Sequence, residues 1–147
     1  MSKKSVGKVI KLFISKDGYE ERISKNELEL NSKGVVEDKF YNKNTQRSVL
    51  LTSQDSYNLI KTNNINVGYG ILGENLLLDF NPYNLDIGTK LQIGEVIVEI
   101  SQACTICSHL SSIDETLPNL LKKDRGIFSK VIKDGQIKID DKIYLVG

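Results

Sequence analysis

Tryptophan is missing from this sequence, histidine occurs once, at His109, and cysteine twice, at Cys104 and Cys107. Arginine is scarce beside lysine, with only Arg22, Arg47 and Arg125. Each shortage closes a class of function. A closed structural zinc centre wants four ligands; Cys104, Cys107 and His109 offer three, and no second Cys/His pair completes them. The Cys-x-x-Cys spacing suits a redox pair, but a thioredoxin-like site is excluded by the missing tryptophan and by the lack of regular strand–helix alternation. Neither charge sign dominates: the formal net charge is +1, which gives no strong field toward nucleic acid or an anionic membrane. No apolar run approaches the length of a membrane span. The start, MSKKSVGKVIKLF, returns to the polar Ser15-Lys16-Asp17 before reaching signal-peptide length. The cytosol is therefore the expected compartment, where the two cysteines are expected as thiols rather than a disulfide. Gly68, Gly70 and Gly73 make no dinucleotide fingerprint, because no helix pattern opens there. Internal repeats, low-complexity segments and linkers are also missing, and one domain over residues 1–147 is the expectation.

What the sequence does contain is a series of short apolar stretches divided by turn residues. Val6–Ile14 reads as a first strand, ended by Lys16-Asp17-Gly18. Tyr19–Leu30 is polar, a short strand or arm carrying Ile23, Leu28 and Leu30, and Asn31–Gly34 is a turn. Arg47–Thr52 predicts a strand. Ser53 is placed to cap a helix that runs to about Thr62, with Asp55 in its first turn and Asn63-Asn64 as its stop. Glu74–Phe80 predicts another strand, Asn81–Asn84 a turn, and Gly88 and Gly94 bracket a short strand. Ser112–Lys123 is helix-compatible, with Pro118 at the first turn of a second short helix. Ile127–Ile132 predicts a strand, Lys133-Asp134-Gly135 a hairpin turn, and Gln136–Val146 closes the chain. This pattern predicts a mainly β fold, a closed or nearly closed barrel of mostly antiparallel strands with two or three short helices.

One stretch concentrates the chemistry. Glu95–Leu110 opens with Val96, Ile97, Val98 and Ile100, a buried β-branched strand, then turns within two residues to Cys104, Cys107 and His109. Strand ends are where folds present reactive groups from a rigid base. A thiolate is both the nucleophile and the soft metal ligand, and a helix start after Cys107 would stabilise it. A buried structural cysteine is the competing reading, as a surface or capping role is for His109.

The segments GKVIKLFIS, GVVEDKF, QRSVLLTSQDSYNLI, GYGILGENLLLDF, LDIGTKLQIGEVIVEISQACTIC and RGIFSKVIKDGQIKIDDKIYLV resemble, in this order, the MOSC domain. That module occurs at the C-terminus of molybdenum cofactor sulfurases and as a free-standing bacterial protein. The resemblance spans nearly the whole chain, and its most specific pieces are the GENL segment and the strand with its cysteines. It implies a mostly antiparallel β-barrel that handles the molybdenum cofactor (molybdopterin), or sulfur destined for it. The implied ligand is a small pterin, and the implied partners are cofactor-biosynthesis or sulfur-donor proteins.

Residue by residue, Cys107 falls on the family's cysteine, whose thiol is implied to carry sulfur as a persulfide or to ligate molybdenum. Cys104 sits where many relatives carry arginine, and some carry two nearby cysteines. Asp38 matches the acidic member of a Gly-Asp pair, with Glu37 where glycine is usual and Phe40 where histidine is common. Arg47, Glu74, Asn75 and Arg125 fall on recurrent positions that border the cleft. Arg47 and Arg125 could bind the cofactor's phosphate through the bidentate guanidinium fork; for Lys39 ordinary surface pairing is the expected role. The leading expectation is a cofactor-binding or sulfur-carrying domain, which in some relatives supports reduction of N-hydroxylated compounds. The alternatives are a non-catalytic cofactor carrier and a small Cys-x-x-Cys metal-binding redox protein.

The two cysteines should behave differently. Cys107 is expected to alkylate faster than Cys104 at neutral pH. After persulfide loading, mass spectrometry should find the added sulfur on the Cys104→Ser protein and not on Cys107→Ser. The reverse pattern would identify Cys104 as the reactive sulfur.

Overall fold

The computed structural model describes residues 5–19, 22–103 and 126–146. Cys104, Cys107, His109, Arg125 and the helix expected over Ser112–Lys123 lie outside the described residues. The strands are β1 (Ser5–Ile14), β2 (Ile23–Lys25), β3 (Glu27–Asn31), β4 (Gly34–Val35), β5 (Val49–Ser53), β6 (Leu76–Leu78), β7 (Lys90–Ile93), β8 (Val96–Ala103), β9 (Ile127–Lys133), β10 (Gly135–Lys138) and β11 (Lys142–Val146). Seven of them close a barrel in the order β1, β6, β5, β9, β8, β7, β11 and back to β1, with β2 added alongside β1. All barrel pairings are antiparallel except β5 with β6, which are parallel and joined through helix α1 (Gln54–Thr62). The mainly β barrel expected from the sequence is the fold observed.

Strand β1 explains its own irregular spacing. Val9, Leu12 and Ile14 are buried in the barrel core, yet the step from Val9 to Leu12 violates a period of two. A shift in the β1–β6 register between Val9 and Lys11 absorbs the extra residue, so both side chains point inward. Strand β6 reads Leu-Leu-Leu with no polar alternation because both of its faces are covered. Leu76 and Leu78 join the barrel core, while Leu77 packs with Tyr57, Ile60 and Leu72 beneath α1. Helix α1 starts where the Ser53 hydroxyl accepts the Asp55 N–H at 3.0 Å, and ends at Asn63.

Three sequence expectations need correction. Arg47 lies not in a strand but in a 3-10 turn, Thr45–Arg47, and β5 begins at Val49. The Asn44 side chain accepts the Gln46 N–H at 3.1 Å and the Ser48 hydroxyl donates to the Thr45 carbonyl at 2.7 Å, which closes the turn locally. The strand expected over Glu74–Phe80 shortens to Leu76–Leu78, because Asn75 uses its side chain for part of the bonding there. Lys133-Asp134-Gly135 does not fold β10 back onto β9. Instead β10 pairs with β3 in a second sheet, ordered β10, β3, β4. Gly135 lies tight against Glu95, where a Cβ would meet the Glu95 Cβ at 2.7 Å, and the Gln136 N–H donates to the Glu95 carboxylate at 3.1 Å. Leu28, Leu30, Val35 and Ile137 of this small sheet join the barrel core. Among the described residues no helix is long and apolar enough to cross a membrane.

Because Leu77 alone among the three leucines of β6 faces α1, Leu77→Ala should loosen the helix from the barrel. A loss of about 2–5 kcal/mol is expected in urea unfolding, the range for a buried leucine truncated to alanine. A change within about 0.5 kcal/mol would mean that α1 contributes nothing to the cooperative unit.

Candidate functional site

The site begins at the turn after β4. Glu37 has φ of 74°, in the left-handed region that a residue with a Cβ enters at a cost. This is the position where the family resemblance leads one to expect glycine. The turn holds because the next residue fixes it. Asp38, only 5% exposed, accepts the Ser15 N–H at 2.7 Å through Oδ1 and the Phe40 N–H at 3.0 Å through Oδ2. The Lys39 N–H returns the link to the Ser15 carbonyl at 2.8 Å. Strain in such a turn persists only when its surroundings over-determine it, and these three bonds do so.

Asn75 carries the connection across the barrel wall. Its Nδ2 donates to the Phe13 carbonyl at 3.2 Å and to Asp38 Oδ1 at 3.4 Å, and its Oδ1 accepts the Leu50 N–H at 3.0 Å. Its backbone N–H reaches the Leu50 carbonyl at 2.9 Å while its carbonyl accepts the Phe13 N–H at 2.8 Å. One residue thus ties β1 to β5 and to the Asp38 turn.

Outside this tie lies a cavity of about 280 Å³. The pairing of β5 with β9 builds its floor. Val49, Leu51 and Ile127 point into the barrel core, so their register neighbours Leu50 and Phe128, paired with each other, share the outer face and line the cavity. Arg22, Asp38, Phe40, Lys43, Asn44, Arg47, Ser48, Gly73 and Asn75 complete the lining. The 3-10 turn that carries Arg47 is fastened to β8 by a hydrogen bond from the Ser101 hydroxyl to the Gln46 carbonyl. The Arg47 guanidinium stacks 4.5 Å from the Phe128 ring centroid, and its Nε is buried with no hydrogen-bond partner among the described residues. Arg22, 17% exposed in its side chain, brings Nη1 to 3.9 Å from Asp38 Oδ1. Its guanidinium lies against Gly73, whose φ of 89° suits glycine and where a Cβ would stand 3.6 Å from Arg22 Nη2.

Glu74 turns away from this cavity. It is fully buried, and both of its carboxylate oxygens approach the Tyr57 hydroxyl, at 2.7 and 2.9 Å. The Gly70 N–H donates to Glu74 Oε2 at 3.1 Å and to the Tyr57 oxygen at 3.0 Å, and the Leu72 N–H donates to the same phenol at 3.3 Å. Burial raises the Glu74 carboxyl above its ordinary range; the bonds from Tyr57 and Gly70 and the charge of Arg22 oppose that rise without cancelling it. The Tyr57 phenol is raised too, first by burial and then by the neighbouring carboxylate. This network pins the glycine-bearing segment 68–74, whose outer side forms the cavity wall at Gly73 and Asn75.

Of the residues singled out in the sequence, Asp38, Arg47 and Asn75 meet at one cavity, and Glu74 stands behind it. Cys104, Cys107 and Arg125 lie outside the described residues; the strand that leads to Cys104 ends at Ala103, paired with Ile127 beside the Gln102–Phe128 pair. Lys39 does not line the cavity, and its ammonium sits 5.2 Å over the Phe40 ring. Among the described residues no three His, Cys, Asp or Glu side chains gather as a metal site. Sequence reasoning passed over Arg22, Lys43 and Phe128. The scarcity of arginine was a signal for Arg22; Phe128, an outward residue on an ordinary strand, gave none.

The raised Glu74 carboxyl makes stability depend on pH with a definite sign. The folded state holds this proton more tightly than the unfolded chain, so the contribution is complete below the ordinary value of 4.5 and is lost as pH rises above it. Glu74→Gln should therefore flatten the fall in unfolding free energy as pH rises above 4.5, measured by urea titration at several pH values. Parallel pH profiles for the two proteins would show that Glu74 titrates alike in both states.

Residues 36–144 match the MOSC domain family. The fold is similar to that of YuaD from Bacillus subtilis, with a TM-score of 0.76, 14% identity, and coverage of 95% of this chain and 94% of that one. It is similar also to YiiM from Geobacillus stearothermophilus, with a TM-score of 0.76, 15% identity, and coverage of 96% and 75%. YiiM from Escherichia coli superposes with a TM-score of 0.67 at 19% identity, covering 95% and 69%. No curated protein matches the sequence. At such identities the structural likenesses speak for the fold, while the match over residues 36–144 speaks for the family: the chain belongs to the MOSC domain family, whose domains are associated with the molybdenum cofactor.

Proposed function

We propose that the cavity beside Asp38 and Asn75 binds the molybdenum cofactor by its phosphate end, with Arg47 as the principal anchor. The buried Arg47 Nε carries this reading, because a charged donor shielded from water and without a hydrogen-bond partner among the described residues is costly unless a ligand supplies an acceptor. The other donors suit the same group. Lys43 and Arg22 add positive charge, and Leu50, Phe40 and Phe128 add apolar faces for the ring system beyond the phosphate. Asp38 and Asn75 act as the frame, since their polar atoms are engaged within the protein.

The chemistry is assigned to the Cys107 thiolate on the strength of its sequence position. As a sulfur carrier it would attack the outer sulfur of a donor protein's persulfide. The donor's S–S bond breaks, the donor cysteine leaves as a thiolate, and the sulfur remains on Cys107 with no external oxidant required. As a ligand the same thiolate would hold molybdenum, a metal that when bound supplies two-electron redox chemistry. Reduction of an N-hydroxylated compound would follow that second use, with a partner protein providing the electrons. Sulfur-donor and cofactor-biosynthesis proteins are the partners this function calls for, in a reducing compartment such as the cytosol.

Anaerobic reconstitution with molybdenum cofactor, followed by gel filtration and metal and pterin analysis, tests the reading directly. The protein should retain both metal and pterin. Arg47→Ala should weaken binding by about 1.5–3 kcal/mol, the range for a hydrogen bond to a charged group, and leave the fold intact. A protein that retains no pterin, or an Arg47→Ala variant of unchanged affinity, would refute it.

A further inference from the structure

We infer that Ser101 is a positioning residue for Arg47, clamping the turn that carries its guanidinium onto the barrel wall. Its part in binding rests on the reading of Arg47 as the cavity's anchor. The β8–β9 ladder breaks step at Ser101. Ile100 pairs with Ser129 and Gln102 with Phe128, so two steps along β8 match one step along β9. Ser101 is the extra residue, a β-bulge with no residue opposite it. Such a bulge leaves one residue out of the ladder and re-aims its side chain. Here the hydroxyl donates to the Gln46 carbonyl, which lies 55 positions away in the sequence. The same extra residue changes the phase of the strand. Ile100 is buried in the core, and strict alternation would send Gln102 inward as well. The bulge instead pairs Gln102 with Phe128, the residue that lines the cavity and carries the Arg47 guanidinium on its ring.

The Arg47 turn needs this clamp. Thr45–Arg47 is one short 3-10 turn, with too few bonds of its own to be rigid. Asn44 and Ser48 close it locally, which gives the turn its shape without fixing it to the barrel. Among the described residues, the Ser101–Gln46 bond is the one hydrogen bond from residues 44–47 to the barrel strands. Arg47 is thereby held between a fixed carbonyl at Gln46 and the start of β5 at Val49, with the Phe128 ring 4.5 Å from its guanidinium. Without the clamp the turn is free to pivot about the start of β5 and carry the guanidinium off the ring. An arginine ordered before its ligand arrives loses less freedom on binding, so the clamp favours binding without touching the ligand.

Phenylglyoxal, which condenses with guanidinium groups, reads the state of Arg47 with no ligand present. Peptide mapping by mass spectrometry should show Arg47 of Ser101→Ala reacting about three- to tenfold faster than in the wild type, the shift expected on losing a hydrogen bond between neutral groups. The rate at Arg22, read in the same digest, should not change. Affinity for the molybdenum cofactor, measured by anaerobic equilibrium dialysis with pterin and metal analysis, should fall by a similar factor. Ser101→Thr keeps the hydroxyl and should match the wild type in both measurements. Ser101→Val replaces that hydroxyl with a methyl group and should match the alanine variant; the Thr and Val pair decides the matter if Ser101→Ala fails to fold. In an Arg47→Ala background, Ser101→Ala should lower affinity no further, because a residue that acts through Arg47 then has nothing to position. Unchanged Arg47 reactivity on loss of the hydroxyl, or an equal fall in affinity with and without Arg47, would overturn the role of Ser101. A wild-type protein that binds no cofactor would overturn the anchor reading and the part of Ser101 in binding, while the phenylglyoxal rates would still decide whether Ser101 positions Arg47.

Discussion

One buried carboxylate oxygen, Asp38 Oδ1, accepts from both a backbone N–H and a buried side-chain amide, and the barrel wall is arranged around that meeting. Asp38 Oδ1 receives both the Ser15 N–H and the Asn75 amide, and Asn75 reaches onward to Phe13 and Leu50. A buried charge is tolerated only where hydrogen bonds replace its water. Satisfying Asp38 therefore dictates the end of β1, the left-handed turn at Glu37, and the point at which the β6 segment meets β5. The cavity is the outer surface of this knot. Its floor follows from strand alternation at Leu50 and Phe128, and its cations hang from segments that the knot and the Ser101–Gln46 bond hold in place.

The segment from Gly70 to Asn75 divides its residues between two environments. Gly73 and Asn75 face the cavity, while Glu74 between them is turned into the space beneath α1, where Tyr57 and the Gly70 N–H receive it. Glu74, expected by family position to border the cleft, does not line the described cavity and braces its wall from behind. It shapes the cavity from behind, and its raised proton affinity belongs to the packing of α1 on the barrel.

Much of the fold was legible because local chemistry and tertiary structure agree. Ser53 caps α1 and Asn63 ends it as their side chains require, and Gly88 and Gly94 bracket β7. What was not legible depended on partners distant in sequence. The departure of β10 from β9 rests on Glu95, about forty residues away along the chain. The 3-10 turn at Arg47 was foreshadowed only by Asn44 and Ser48, which read equally well as loop residues. In the candidate site, Asp38, Arg47 and Asn75 were found by family position. Arg22 was not, because the polar arm that carries it gives no periodic signal and its place is set by Gly73 and Asp38 from other parts of the chain.

The three leucines of β6 also matter before the protein is folded. Both faces of that strand are covered only when the barrel and α1 are complete, and its neighbour on β1 is some sixty-five residues upstream. Pairings of such sequence separation carry a loop-closure cost, so in the unfolded chain Leu76–Leu78 is an uncovered apolar run. Glu74 and Asp79 flank it. In the unfolded chain both are solvated carboxylates whose charge opposes strand-to-strand association between molecules. On folding, Glu74 gives up that role as it is drawn in against Tyr57. Glu74 thereby serves the unfolded chain, together with Asp79, as a flanking charge, and the finished barrel as a brace.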